Sequence, residues 1–323
     1  MAKDRERETS GHASIPEPPH PQRRREPLPG QAAKAAAEDP DAPHRVAAIL
    51  QSPSYRLAEQ DGDFLARDEA RGARLMLEYL KPEVLLAEHG IKHTIVVFGG
   101  TRICEQSAAR RRVDDLQRRV AAAPDDAELA CQLAVAERVL AKSRYYDVAR
   151  EFGRLVGAAC RDYAHTVVMT GGGPGIMEAA NRGAFDAGAK SVGLNINLPH
   201  EQYPNPYITT ELCFRFHYFA LRKLHLLERT RALVAFPGGY GTLDELFEVL
   251  TLIQTRKIKP IPVVLVGEDF WRRLIDFDFM VEEGVIDRED RDLFWFAESA
   301  QDIWDGILRW HERGGEPMVG IAP

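Results

Sequence analysis

Hydrophobic and polar positions fall into two alternating patterns along most of the chain. Ala73, Met76, Leu77, Leu80 and Val84 recur at helical spacing and predict an amphipathic helix over roughly 69–88. Pro82 is placed to end or kink it and Gly90 to stop it. Short apolar, β-rich runs follow. His93–Phe98 ends in Gly99-Gly100, and His165–Thr170 ends in Gly171-Gly172-Gly173. Ser191–Ile196 is a third, Glu211–Phe214 a weaker fourth. Arg231–Phe236 ends in Pro237-Gly238-Gly239, and Ile261–Val266 ends in Gly267. Strands that alternate with helices and end in glycine predict an α/β fold, a parallel sheet with helices on both faces. Ligands of such folds bind at the carboxyl ends of the strands, where these glycine turns sit.

One spacing departs from this rhythm. About 65 residues separate the first glycine turn from the second strand, far more than one crossover helix needs. Residues 105–121 and 126–162 both read as helical, with Pro124-Asp125-Asp126 as the break. They predict a helical hairpin insertion leading into a crossover helix near 143–162. After Gly267, helical patterns at 268–283 and 299–312 predict a helical C-terminal cap that carries all four tryptophans. Residues 1–45 hold eight of the twenty prolines, dense charge and few large apolar side chains, so they are expected to be a disordered tail or a docking arm. The expected organisation is a tail over 1–45, a helical lead-in over 46–90, a parallel-sheet core over 91–267 with its insertion at about 105–141, and the cap over 268–323.

Composition narrows the function classes. The chain has 323 residues, 45% hydrophobic and 28% charged, within the ordinary globular range. A net charge of -7 argues against a nucleic-acid binder that works by bulk positive charge. No apolar run is long enough to span a membrane. Cys104, Cys131, Cys160 and Cys213 form no CxxC pair and no zinc-ligand spacing, so neither a metal nor a disulfide framework is expected. With no apolar signal-peptide core after Arg23-Arg24-Arg25, a cytoplasmic location is expected.

Three constellations carry candidate chemistry. In the first, Gly171, Gly172, Gly173 and Gly175 join a strand to a helix starting near Pro174, with Glu178 in its first turn. Free backbone amides and the helix dipole suit an anion there; a tight turn without ligand is the plain alternative. The spacing is neither a P-loop nor a dinucleotide fingerprint. In the second, FPGGYGTLDELFE, Gly238, Gly239 and Gly241 precede Thr242 and Glu245. Thr242 and Glu245 have capping-box spacing, so Glu245 either caps its own helix or is a carboxylate set beside an anion cradle. Asp244 points to another face. In the third, a helix near 216–229, Arg215, Arg222 and Arg229 lie seven apart on one stripe, while Phe219, Leu224 and Leu227 suit a buried face. Arg222, next to Lys223, is either a phosphate clamp or part of a solvated or inter-subunit face. Together these describe a nucleotide monophosphate pocket with one candidate acid or base.

FPGGYGTLDE resembles the PGGxGTxxE motif of the LOG family, the cytokinin riboside 5'-monophosphate phosphoribohydrolases and related bacterial nucleotide nucleosidases. GGGPGIMEAANRGA, VVFGGTR, LPHEQYPNPY and RFHYFALRK resemble other motifs of its longer bacterial branch, over roughly 46–312. The resemblance implies a Rossmann-like fold and hydrolysis of the N-glycosidic bond of a nucleoside 5'-monophosphate. It implies catalytic roles for Arg222 and Glu245. It implies substrate binding by Gly171, Gly172, Gly173, Gly175, Glu178, Lys223, Gly238, Gly239, Gly241, Thr242 and Arg102. It also implies no cofactor, and a homodimer or higher homo-oligomer. Phe219-Ala220-Leu221 stands where short plant-like members carry Met-His, a departure that touches base preference. A nucleotide sensor of the same fold is the alternative. A pyridoxal-phosphate decarboxylase, a label the family often carries, would need a Schiff-base lysine, and Lys223 is the lysine placed near the site.

Overall fold

The computed structural model describes residues 32–159, 166–199, 203–315 and 318. They form two compact units divided between Ala70 and Arg71. The first holds helix α1 (Ala42–Gln51), the single-turn α2 (Gly62–Leu65) and three short 3-10 turns. Asp61 caps α2 by accepting from the Phe64 N–H at 3.0 Å. Most of the 1–45 tail lies outside the described residues. Its last residues, from Ala42, are helical, because Pro43 falls in the first turn of α1, where its missing N–H costs nothing.

The second unit begins with α3 (Arg71–Glu88), β1 (His93–Phe98), α4 (Gln106–Ala122), α5 (Ala127–Lys142) and α6 (Arg144–Ala159). β2 (Thr166–Thr170), α7 (Ile176–Asp186), β3 (Ser191–Ile196), β4 (Cys213–Phe216) and α8 (Phe219–Glu228) follow. β5 (Thr230–Ala235), α9 (Tyr240–Gln254), β6 (Val263–Val266), α10 (Glu268–Leu274), α11 (Phe277–Glu282), β7 (Trp295–Ala297) and α12 (Ala300–Arg313) complete it. The seven strands form one parallel sheet in the order β4-β3-β2-β1-β5-β6-β7. The chain builds outward from β1 to β4, then returns to the other side of β1 with β5. The crevice between β1 and β5 is therefore the topological switch point of the sheet.

Both faces of the sheet are buried, which is why its strands read as continuous apolar runs. Ile95 and Val97 of β1 face a core built with Tyr146 and Phe152 of α6, Ala180 of α7 and Ile303 of α12. Val96 and Phe98 face the other core, with Leu86 of α3, Leu226 of α8, Leu246 of α9 and Trp271 of α10. The long spacing after β1 is the α4–α5 hairpin, which closes on a small core of its own around Val113, Leu116 and Ala136.

Several local expectations change. Pro82 stays inside α3, which runs on to Glu88 and ends at Gly90 with φ +72. The apolar stripe of α3 does not form its buried face: Met76, Leu77, Leu80 and Val84 are all exposed, whereas Pro82 and Leu86 are buried. The predicted 268–283 helix breaks into α10 and α11, because Ile275 is extended and Asp276 caps a new start by accepting from the Phe279 N–H at 3.0 Å. The C-terminal segment also contributes a strand, β7, which pairs with β6. Strand β4 begins at Cys213, after a 3-10 turn over Thr210–Leu212. Cys104, Cys131 and Cys213 are free, and Cys160 lies outside the described residues. No helix among the described residues is long and apolar enough to cross a membrane.

Helices α6 and α7 meet backbone to backbone at Gly183. A Cβ there would lie 1.8 Å from the Arg150 carbonyl oxygen and 2.6 Å from the Arg154 nitrogen. No side-chain rotation relieves a clash with backbone, so Gly183→Ala is expected to lower stability by about 1–3 kcal/mol. The urea midpoint checks this; an unchanged midpoint would mean that the two helices do not approach so closely.

Candidate active site

Three glycine turns converge at the carboxyl ends of β1, β2 and β5. The Gly100 N–H donates to the Pro237 carbonyl at 2.8 Å, joining the β1 turn to the β5 turn. The Ile176 N–H donates to the Gly100 carbonyl at 3.3 Å, joining both to the start of α7. Gly175 caps α7 with φ +74, and a Cβ there would lie 2.4 Å from the Gly100 oxygen. Only glycine meets both conditions. α7 accordingly begins at Ile176 and not at Pro174.

The first glycine turn is braced from behind by amides that the residue pattern did not reveal. Thr170 Oγ1 donates to Asn181 Oδ1 at 2.7 Å and accepts from the Gly172 N–H at 3.0 Å. The Asn205 N–H donates to the Gly172 carbonyl at 2.9 Å, and Asn205 Nδ2 donates to the Gly173 carbonyl at 3.1 Å. Asn195 Oδ1 lies where a Gly172 side chain would be. Asn181 lies on α7 and Asn195 on β3, elements the pattern predicted without marking either amide, and Asn205 lies in the LPHEQYPNPY segment that only the family resemblance singled out.

Arg222 and Glu245 meet in front of these turns. Arg222 Nη2 donates to Glu245 Oε1 at 2.9 Å, and the side chains are 11% and 3% exposed. Arg222 Nη1 comes within 3.9 Å of where a Cβ at Gly171 would sit, so the pair also borders the first glycine turn. The guanidinium lies over the ring of Phe219 at 5.1 Å, and that ring is half exposed. Arg222 Nε is buried with no hydrogen-bond partner among the described residues. Glu245 does not cap its helix. α9 starts at Tyr240 after Gly239, no side chain caps it, and Thr242 packs against Gly238 instead. Burial pushes the Glu245 carboxyl up from its ordinary pKa; the charge and hydrogen bond of Arg222, and the charge of Lys223, oppose this without cancelling it.

The other predicted positions divide. Lys223 is on the α8–α9 side, held by Asp244 at 2.8 Å and Glu248 at 3.2 Å. Burial lowers its pKa, but Asp244, Glu245 and Glu248 more than offset this and raise it. A Schiff-base lysine must present a neutral amine, so the residues present do not fit pyridoxal phosphate. Glu178 is not brought to the pair. It accepts from Tyr146 Oη of α6 at 2.9 Å, on the opposite helical layer of the sheet. Arg102 is exposed and has no polar partner among the described residues. The arginine stripe is not one helix face: Arg215 lies on β4 and bonds Asn197, while Arg229 follows α8 and bonds Glu83. Phe219 and Leu224 are exposed and not buried.

α3 fixes where α8 can lie. Glu78 accepts from the His217 and Tyr218 N–H groups at 2.9 and 3.2 Å, capping the N-terminus of α8 from another helix. At the other end, Glu83 takes Arg229 and lies 3.2 Å from His225 Nδ1.

Residues 177–307 match the family described as possible lysine decarboxylase. The cytokinin riboside 5'-monophosphate phosphoribohydrolase LOG3 of Arabidopsis thaliana is 32% identical over 180 residues, covering 53% of this chain and 80% of that protein. The chain belongs to the LOG family. The rice LOG phosphoribohydrolase, from Oryza sativa subsp. japonica, is 30% identical over 185 residues, 56% of this chain and 72% of that protein. Among solved structures, the molybdenum cofactor carrier protein of Chlamydomonas reinhardtii aligns at 18% identity and TM-score 0.40, over 68% of this chain and 97% of that one. Within this LOG-family chain, both members of the buried ion pair and the PGGYGT turn lie inside the matched residues 177–307.

Removing one partner of a buried pair strands the other charge. Arg222→Ala is expected to cost about 3–5 kcal/mol near neutral pH. A carboxyl whose folded pKa is raised loses stability as pH climbs from its unfolded toward its folded pKa. Without Arg222 that rise is larger, so the deficit of the variant should widen from about pH 5 to about pH 8. Urea titrations at the two pH values check this; a deficit that does not change with pH would mean Glu245 does not depend on Arg222 for its charge.

Proposed function

We propose that the chain hydrolyses the N-glycosidic bond of nucleoside 5'-monophosphates, releasing the free base and ribose 5-phosphate. The observation that carries this reading is the buried Arg222–Glu245 pair, set against two glycine turns at the switch point of the sheet. The names of the curated relatives support the same reaction class.

The proposed division of labour follows from charge. The α9 N-terminus has no side-chain cap, so its amides are available to a phosphate. A Cβ at Gly239 or Gly241 would meet nothing within 4 Å. The protein's own packing therefore gives no reason for glycine there, whereas close approach of a phosphate does. Arg222, whose Nε has no partner among the described residues, orients the phosphate or ribose. Breaking the ribosyl–base bond develops positive charge on the sugar, and the Glu245 carboxylate stabilises that charge or activates the attacking water. The half-exposed Phe219 ring beside Arg222 offers a face for the base. Phosphate binding away from the breaking bond contributes to transition-state stabilisation.

The exposed stripe of Met76, Leu77, Leu80 and Val84 on α3 supports a homo-oligomer, and intracellular nucleotides as substrates support a cytoplasmic site of action.

Incubation with AMP, GMP, CMP and isopentenyl-AMP, with chromatography of the free bases, tests the reaction. Glu245→Gln is expected to lower kcat/KM by about 10²–10⁴; near-normal turnover in that variant sinks the assignment. Because Glu245 acts as a carboxylate with a raised pKa, activity should fall on acidification at a pH above the ordinary carboxyl range. An acid limb confined to the ordinary range would remove Glu245 from the rate-controlling ionisation.

A further inference from the structure

A second group of ionisable side chains is withdrawn from water one turn along α8 from Arg222. The His225 side chain is wholly buried, and its Nδ1 lies 3.2 Å from Glu83 Oε1 of α3. The same carboxylate oxygen accepts from Arg229, just after α8. The imidazole stacks on the Tyr79 ring of α3 at 5.3 Å and meets Phe216 of β4 at 5.5 Å. Tyr79 Oη in turn donates to Glu228 of α8 at 3.2 Å. Glu83, His225 and Glu228 bring ligand-type atoms within 4.8 Å of one another. Arg229 occupies the Glu83 oxygen that a metal ion would need, so the cation of this cluster is built in. His225 Nε2 is buried with no partner among the described residues. A proton on Nδ1 gives the Glu83 contact its donor, whereas one on Nε2 would be a buried donor without an acceptor.

As a stabilising device this cluster is weak, since apolar side chains would join α8 to α3 as well. What it supplies is register. α8 is ten residues long, and a slip of one residue would move it about 1.5 Å and turn it by about 100°. That would take His225 off Glu83 and Tyr79, and Arg222 off its 2.9 Å contact with Glu245. Burial alone would raise the Glu83 carboxyl; the hydrogen bond and charge of Arg229, and those of His225, more than offset this and hold its pKa below the ordinary value. Glu83 is therefore an ionised anchor over the range in which Glu245, pushed the other way, titrates. We propose that Glu83 and His225 are positioning residues: they fix the register of α8 on α3, and through it the contact of Arg222 with Glu245. The inference rests on the reading that this pair carries the reaction.

The test reads the ionisation of Glu245, which loss of stability alone does not move. Its carboxyl carbon is followed by NMR in the full chain labelled with carbon-13 glutamate, and assigned by its absence from Glu245→Gln. Glu83→Gln keeps the shape and removes the charge; His225→Phe keeps the ring stack and removes the nitrogen donor. Either variant should raise the Glu245 midpoint by about half a pH unit or more, because a displaced Arg222 opposes burial less. Deleting the Glu83 charge acts directly on Glu245 with the opposite sign, so a rise reads the movement of Arg222. In both variants kcat/KM for the nucleotide that the wild type cleaves best should fall about tenfold or more. Ile307→Ala, which truncates the core on the opposite layer of the sheet, should lower the urea midpoint and leave the Glu245 midpoint in place. The proposal is overturned if either variant, folded, titrates Glu245 as the wild type does. It is overturned too if Ile307→Ala raises that midpoint equally, since any loosening of the fold would then suffice. A wild type that releases no base from any nucleotide defeats the proposed reaction alone, and the titration still decides the positioning.

Discussion

The ion pair between Arg222 and Glu245 is the constraint around which the rest of the site is organised. Two charges almost wholly withdrawn from water lose hydration that a single hydrogen bond at 2.9 Å does not fully restore. The raised carboxyl pKa of Glu245 is the visible residue of that deficit. Apolar side chains of similar volume would hold α8 against α9 at least as well. The pair is therefore poorly explained as a stabilising device, which is why the proposed reaction is assigned to it. Everything nearby serves to hold it there. Glu78 caps α8 from α3, Glu83 anchors its far end, and Lys223 ties it to α9 through Asp244 and Glu248.

The sheet order gives this pair its setting. Because the chain builds to one side of β1 and then returns to the other, helices from the two halves diverge above β1 and β5 and leave a crevice. Hydrogen bonds from Gly100 to Pro237 and from Ile176 to Gly100 lock the three glycine turns into one floor. The conformation of that floor is then not free to adapt. Gly175 has a positive φ and no room for a side chain, so the close approach of α7 is written into the backbone. Such preorganised amides stabilise an anion without reorganising when it arrives.

Much of this was legible in the sequence, for identifiable reasons. Strands buried on both faces advertise themselves as apolar runs, and glycine turns mark their carboxyl ends, so the parallel sheet and the edge where those turns gather could be read directly. The separation of Arg222 and Glu245 by a whole strand could not be bridged by spacing; the family resemblance joined them, and the 2.9 Å contact is what the fold makes of it. The misplacements share a cause. Thr242 and Glu245 satisfy a local capping pattern, yet a long-range charge took Glu245 and left the helix uncapped. Arg215, Arg222 and Arg229 satisfy a helical stripe, yet Arg215 went to a strand. Glu178 satisfies a glycine-turn motif, yet Tyr146 holds it on the other layer. Local periodicity reads what one element prefers, and each failure occurs where a partner distant in sequence decided. The Asn181–Asn205 brace is the extreme case, since a buried amide has no pattern until its partners are placed.

The apolar stripe of α3 is a feature that folding of this chain alone does not use. Leucine and methionine at the surface forfeit burial of about 25 cal/mol for each Å² left in water. α3 also holds α8, the helix that carries Arg222: Glu78 caps its N-terminus, and Glu83 grips Arg229, about 10 Å along the helix from Arg222. Whatever covers the α3 stripe must press on the helix that positions Arg222. A helix held by side-chain contacts at both ends transmits such a load as a rigid body, because packed interiors compress little. The unused surface is therefore placed where its occupancy would be felt at the ion pair.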